Sequence, residues 1–161
     1  MVEQRLVYDK KDVEEARQFA AENSPCIRRK YGALIIDSVG NRVLSTNYRL
    51  GKYCHDEFCV RDYCKVPHGE KTELGGEIHA EQAALVDYSR PSLGPNEYKH
   101  ILVAGLDHKG EPLVGMDNSP CHVCAMMIKF AGFKYVWMPF QEGNPLPISI
   151  DEILEYYEVL V

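Results

Sequence analysis

An α/β fold with helices packed on a sheet is what this sequence predicts, and three observations carry it. A strand-type apolar run, Tyr31-Gly32-Ala33-Leu34-Ile35-Ile36, is followed after four residues by a second strand over 41–46, which makes a hairpin. Helix-type and strand-type stretches then alternate to the end of the chain. At 161 residues, 45% apolar and 26% charged, the chain has the size and composition of one domain with one core.

The elements follow in order. Residues 9–22 read as an amphipathic helix. Val13, Ala16, Phe19 and Ala20 share a face, Asp9 or Asp12 is placed to cap it, and Ser24-Pro25 ends it. Asp37-Ser38-Val39-Gly40 supplies the hairpin turn. Residues 49–76 form a Cys/His-rich insertion without clean periodicity, and a loop this long inside a domain needs something to fix it. Residues 78–88 read as a helix and 101–106 as a short apolar strand. Lys109-Gly110-Glu111-Pro112 is a turn, with Leu113-Val114-Gly115 a short strand behind it. Pro120 is expected in the first turn of the next helix, which ends near Ala131 with Gly132 as its C-cap. Residues 134–138 are a strand. A closing helix over 149–157 starts at Ser149, with Glu152 completing a capping box. No repeat, low-complexity tract or linker divides the chain, so 1–161 is expected to be a single domain.

The net charge of −6 makes a general nucleic-acid binder an unfavourable reading, because phosphate neutralisation dominates that affinity. A small anionic ligand needs only a local basic cluster. Arg28-Arg29-Lys30 forms one, and Arg49, Lys52, Arg61 and Lys65 are scattered through another; the competing reading of each is a solvated surface. No apolar run reaches the length of a membrane span, and Met1-Val2-Glu3-Gln4-Arg5 lacks a signal-peptide pattern, so a cytoplasmic protein is expected. In a reducing compartment, six cysteines point to metal or catalysis rather than disulfides.

Two short motifs decide between these. His79-Ala80-Glu81 opens one expected helix and Pro120-Cys121-His122-Val123-Cys124 another. Cysteines three apart share a helix face, and a helix N-terminus favours thiolate. His79, Cys121 and Cys124 make a one-His, two-Cys donor set suited to Zn²⁺. Structural zinc sites are normally closed by four ligands; three leave a position for water, whose pKa the metal lowers toward neutrality. Glu81 sits two residues past His79, free of the metal and placed to move protons. Each piece alone is weak, since Cys-x-x-Cys has a redox reading and His-x-Glu is common by chance. In this order, with proline before the first cysteine, they match the zinc-deaminase signature.

The sequence resembles the cytidine and deoxycytidylate deaminase superfamily, and most of all its deoxycytidylate (dCMP) deaminase branch. The resemblance runs over residues 24–138. It rests on the metal motifs, on Cys26-Ile27-Arg28-Arg29-Lys30-Tyr31-Gly32-Ala33, on Ser45-Thr46-Asn47-Tyr48, on the Cys/Asp/Arg-containing insertion, on the His79–Ala84 run and on Ala131-Gly132-Phe133-Lys134-Tyr135-Val136. It implies a three-layer α/β/α fold with a mixed sheet of about five strands. It also implies zinc on His79, Cys121 and Cys124, proton transfer by Glu81, a base held by the Ala80 backbone N–H and the Ser119 carbonyl, and a homo-oligomer.

Three departures stand out. The branch has Gly-Tyr-Asn-Gly after Ser-Thr, where the Asn helps bind nucleotide. Here the run is Asn47-Tyr48-Arg49-Leu50, so either Asn47 substitutes or the contact is lost, and regulation by a nucleoside triphosphate is not implied. The Cys that often precedes His-Ala-Glu is replaced by Gly75-Gly76, and residues 108–118 look like an added turn beside the site. The expected function is hydrolytic deamination of a small nucleotide, dCMP to dUMP with release of ammonia, with Arg28, Arg49 or Arg61 on the phosphate. Deamination of another nucleobase, nucleoside or modified metabolite is the alternative, ahead of action on tRNA or single-stranded DNA. A zinc-stabilised binding or regulatory domain is the non-enzymatic alternative, against which Glu81 speaks. Cys26, Cys54, Cys59 and Cys64, with His68 as a substitute, are candidates for a second, structural zinc, as in some dCMP deaminases; otherwise two or three of them are small buried residues.

Overall fold

In a computed structural model, residues 7–49, 65, 77–88 and 99–159 are described. Among them the order is α1 (Lys10–Asn23), β1 (Lys30–Asp37), β2 (Arg42–Thr46), β3 (Tyr48–Arg49), β4 (Glu77–Ile78), α2 (Ala80–Tyr88), β5 (Lys99–Leu106), α3 (His122–Phe130), β6 (Tyr135–Pro139), β7 (Pro145–Ser149) and α4 (Ile150–Val159). Short 3-10 turns occupy Gly115–Asn118 and Gln141–Gly143.

Five strands form one mixed sheet in the order β2-β1-β5-β6-β7. The β1–β2 hairpin pairs antiparallel, as do β1–β5 and β6–β7, while β5 and β6 run parallel. β3 and β4 make a separate two-stranded ribbon.

Alternation along the central strands creates two cores. Ala33 and Ile35, Ile101 and Val103, and Val136 and Met138 face Ala80, Ala84 and Tyr88 of α2, Ala125 and Ile128 of α3, and Ile150 and Ile153 of α4. The intervening Leu34, Leu102, Ala104 and Trp137 face Val13 and Ala16 of α1, together with Tyr8. The result is the three-layer α/β/α arrangement, with α1 on one face and α2, α3 and α4 on the other. Gly32 permits the close approach of that layer, since a Cβ there would lie 2.1 Å from the Ala16 carbonyl oxygen.

Several boundaries differ from the sequence reading. Asp9 is the N-cap of α1, and Asp12 closes a capping box back onto it. Residues 113–115 are not a strand. Only Leu106 and Pro112 bridge, and the chain then winds into the Gly115–Asn118 turn. Pro120 precedes α3 rather than entering it, because Cys121 is the N-cap. Gly132, at φ +91°, follows α3 in a Schellman closure: its N–H reaches Lys129 O, and the Phe133 N–H reaches Ile128 O. Ser149 caps α4 by accepting from the Asp151 N–H rather than through a box with Glu152. No described helix is long and apolar enough to cross a membrane.

Candidate metal centre

Two of the three helices on the larger core, α2 and α3, present their N-termini to one point. His79 stands immediately before α2, held there by the side chain three residues on. Gln82 Oε1 accepts from the His79 N–H at 2.9 Å, half of a capping box. Cys121 is the N-cap of α3, and its Sγ accepts from the Cys124 N–H at 3.4 Å. One turn on, Cys124 is fully buried.

His79 Nδ1 lies 3.2 Å from Cys124 Sγ and 3.5 Å from Cys121 Sγ. All three donor atoms fall within 4.8 Å of one another. Zn–S bonds of about 2.3 Å and Zn–N bonds of about 2.0 Å at tetrahedral angles place N and S about 3.5 Å apart. The spacing and the donor chemistry therefore both suit one zinc ion. Without a cation, the thiol of Cys124 hydrogen-bonds the sulfur of Cys121 and stabilises it as thiolate, at about 4, with further help from His79. The same pairing, with burial, drives Cys124 up. Two sulfurs this close cannot both hold charge until a cation joins them.

Glu81, the second residue of α2, is 6% exposed. Burial pushes its carboxyl up to about 7, against the pull of His79 and of its own backbone N–H. Among the described residues no other side chain donates a hydrogen bond to it. Ala80 is buried beside it, and Ser119 sits half-buried between the Gly115–Asn118 turn and Pro120.

Three residues that the sequence reading did not single out shape this corner. Asn118 is completely buried; it accepts from the Gly105 N–H at 2.8 Å and donates to the Leu113 and Gly115 carbonyls. It thereby fastens the 108–118 turn to the end of β5. Tyr31 donates to the Asp117 carbonyl at 3.2 Å and accepts from Arg29 at 3.2 Å. Tyr157 of α4 donates to the Pro120 carbonyl at 2.8 Å. Burial first, and then the charges of Cys121, Tyr156, Cys124 and Glu81, push its hydroxyl up to about 12. All three act across 13 residues or more (118 to 105, 31 to 117, 157 to 120), so no local motif announces them.

The remaining expected residues are dispersed. Asn47 is 4% exposed, and its carboxamide is turned into the frame. Its oxygen accepts from Ser24, Thr46 and the Tyr31 N–H, and its nitrogen donates to the Arg29 carbonyl. Arg28 is half-buried in the bend before β1. Arg49 pairs through its backbone with Glu77. Cys26 is half-buried, and its N–H donates to Ser24 Oγ. Arg61, Cys54, Cys59, Cys64 and His68 lie outside the described residues.

Solved structures share this architecture. A cytidine deaminase from Burkholderia pseudomallei superposes with a TM-score of 0.56 at 18% identity, over 89% of this chain and 94% of that one. A cytidine deaminase from Mycobacterium tuberculosis gives 0.52 at 16% identity, over 91% and 94%. The chain thus has the cytidine-deaminase-like fold. The sequence matches no family model and no curated protein.

Proposed function

We propose that this chain is a zinc-dependent hydrolytic deaminase of a small cytosine compound, with dCMP as its substrate. The observation that carries the reading is the pairing of two features in one corner. Three donor atoms sit at tetrahedral-zinc spacing, and a buried carboxylate two residues from the histidine has no side-chain hydrogen-bond partner among the described residues. A closed structural site has no use for such a group.

In this reading His79, Cys121 and Cys124 hold the zinc, which supplies Lewis acidity that lowers the pKa of a water toward neutrality. Glu81 would accept the first proton that water gives up and deliver it to the ring nitrogen, then take the remaining proton from the hydroxyl added at C4 and pass it to the departing amine. Water adds at C4 of the cytosine ring, ammonia leaves, and a uracil compound remains. The Ala80 N–H and the Ser119 carbonyl hold the base, and Asn118 keeps the Ser119 segment in place. Arg28, Arg49 or Arg61 supplies the phosphate contact.

The test is ammonia release across cytosine, cytidine, deoxycytidine, CMP, dCMP, dCTP, adenosine and guanine. The expected result is turnover of dCMP well above deoxycytidine, because remote phosphate binding energy can be spent at the reacting ring. Equal rates on those two would exclude the nucleotide, and activity only on purine compounds would exclude the cytosine reading. The internal commitment of Asn47 favours a second reading, deamination of a nucleoside, free base or modified metabolite, and the same screen separates the two.

We also propose a second, structural zinc drawn from Cys26, Cys54, Cys59, Cys64 and His68. Elemental analysis is then expected to give about two zinc ions per chain, each site of this type holding one. Cys54→Ser is expected to remove one of them and to open residues 49–76 to protease. A stoichiometry near one, unchanged by that substitution, excludes the second site.

A further inference from the structure

We infer that Tyr157, on the C-terminal helix, is a positioning residue for the metal ligand Cys121. The inference rests on the metal reading above but not on the identity of the substrate. Cys121 has two chain neighbours, and Tyr157 holds both. Its hydroxyl donates to the Pro120 carbonyl at 2.8 Å, and its ring stacks on the His122 ring with centroids 5.1 Å apart and planes 23° from parallel. The grip matters because of where Cys121 sits. As the N-cap of α3 it has extended backbone, φ −68° and ψ 170°; the helix reaches it through the Cys124 N–H on its sulfur at 3.4 Å and the Ala125 N–H on its carbonyl at 2.8 Å, but not through the Pro120 peptide by which the chain enters it. Cys124, a turn inside the same helix, is fixed by that helix and by complete burial. One thiolate is therefore set wholly within its helix, while the other, at the helix edge, is held on its outer side by a contact from 37 residues away.

α4 is well placed to deliver that contact. Ile150 and Ile153 anchor it in the core shared with α3, so the tyrosine is carried on a rigid element. Partners that orient metal ligands in this manner typically change metal affinity by about 10–100-fold when removed.

The test measures zinc affinity of the full chain by competition with a chromogenic chelator, and site geometry by the thiolate-to-metal absorption of the cobalt-loaded protein. Tyr157→Phe keeps the ring stack and loses the hydroxyl. It is expected to weaken zinc binding about 10-fold or more and to shift the cobalt absorption. Ile153→Val thins the same helix's core packing without touching the corner, and is expected to lower the melting temperature while leaving zinc affinity at the wild-type value. Wild-type zinc affinity in Tyr157→Phe, or an equal loss in Ile153→Val, overturns the inference while leaving the metal site standing. Failure of the wild-type chain to bind zinc at all overturns the metal reading and this inference with it. Should Tyr157→Phe not fold, His122→Ala decides: weakened zinc binding supports the grip, and wild-type binding removes it.

Discussion

Helix α2 joins two buried carboxylates that have opposite fates. At one end its final residue, Tyr88, donates to Asp37 at 2.6 Å. Asp37 also accepts from the Asn41 side chain and backbone, each at 2.8 Å, and from the Val39 N–H at 3.1 Å. Burial alone would push Asp37 up, but those bonds outweigh it and hold its carboxyl below the usual range. At the other end, roughly 10 Å of helix away, the Glu81 carboxyl is enclosed far more deeply, with no side-chain donor among the described residues, and burial wins. A buried charge that is fully hydrogen-bonded belongs to the structure. One left without partners costs stability and is retained where chemistry needs it.

Removing each carboxylate should therefore break different things. Glu81→Ala is expected to lower turnover by about 10²–10⁴-fold, the range of lost general acid–base catalysis. Zinc content and melting temperature should stay near wild type, because nothing structural leans on the group. A variant that loses its zinc, or one that keeps full activity, would show that Glu81 is not the proton carrier. Asp37→Ala is the reverse experiment. It strands the Tyr88 hydroxyl and two backbone N–H groups, at a cost of about 3 kcal/mol in total. For a chain of this length each kcal/mol moves the melting temperature about 2–4 °C. Turnover per folded molecule is expected to hold, and a loss of turnover larger than the loss of folded protein would merge the two ends of the helix into one functional unit.

The pH dependence of stability sharpens the contrast. Asp37 has a depressed folded pKa, so its stabilisation is present above the unfolded value and lost as pH falls through the folded one. The stability gap between wild type and Asp37→Ala should then be flat near neutrality. It should shrink below about pH 4, where an unfolded aspartate takes up its proton. Denaturant titrations from pH 7 to 3 measure this, and a gap that widens on acidification would mean that Asp37 gains nothing from its charge.

How far the sequence disclosed these features follows from how far apart their parts lie. His79, Glu81, Cys121 and Cys124 stand in two tight motifs, so the donor set was legible, while the convergence of the two helix N-termini is seen in the fold. The three layers came only with the family resemblance; the alternation of Leu34, Leu102 and Trp137 with residues of the opposite core shows in the structure why the sheet is covered on both sides. β7 was hidden by Pro145 and Pro147, which read as loop. It survives as the edge strand beside β6, where missing N–H groups are tolerated. The start of α3 was misjudged by two residues because proline suits a first helical turn; here its carbonyl is used by Tyr157 instead. Asn47 looked like a ligand contact by its place in a motif, and only the fold shows its amide spent on Ser24, Arg29, Tyr31 and Thr46.

The smallest effect tests whether the Asp37 end is a network or a single bond. Tyr88→Phe removes one donor and keeps the ring, which sits edge-on to Phe133 with centroids 6.2 Å apart. Asp37 retains its bonds from Asn41 and Val39 in that variant, so its charge stays compensated. The expected cost is about 1 kcal/mol, the net worth of one hydrogen bond, well below that of Asp37→Ala. Combining Tyr88→Phe with Asp37→Ala in a double-mutant cycle should show strong coupling, since the second change removes the acceptor that the first left underused. Additive losses would mean that the 2.6 Å bond contributes nothing of its own.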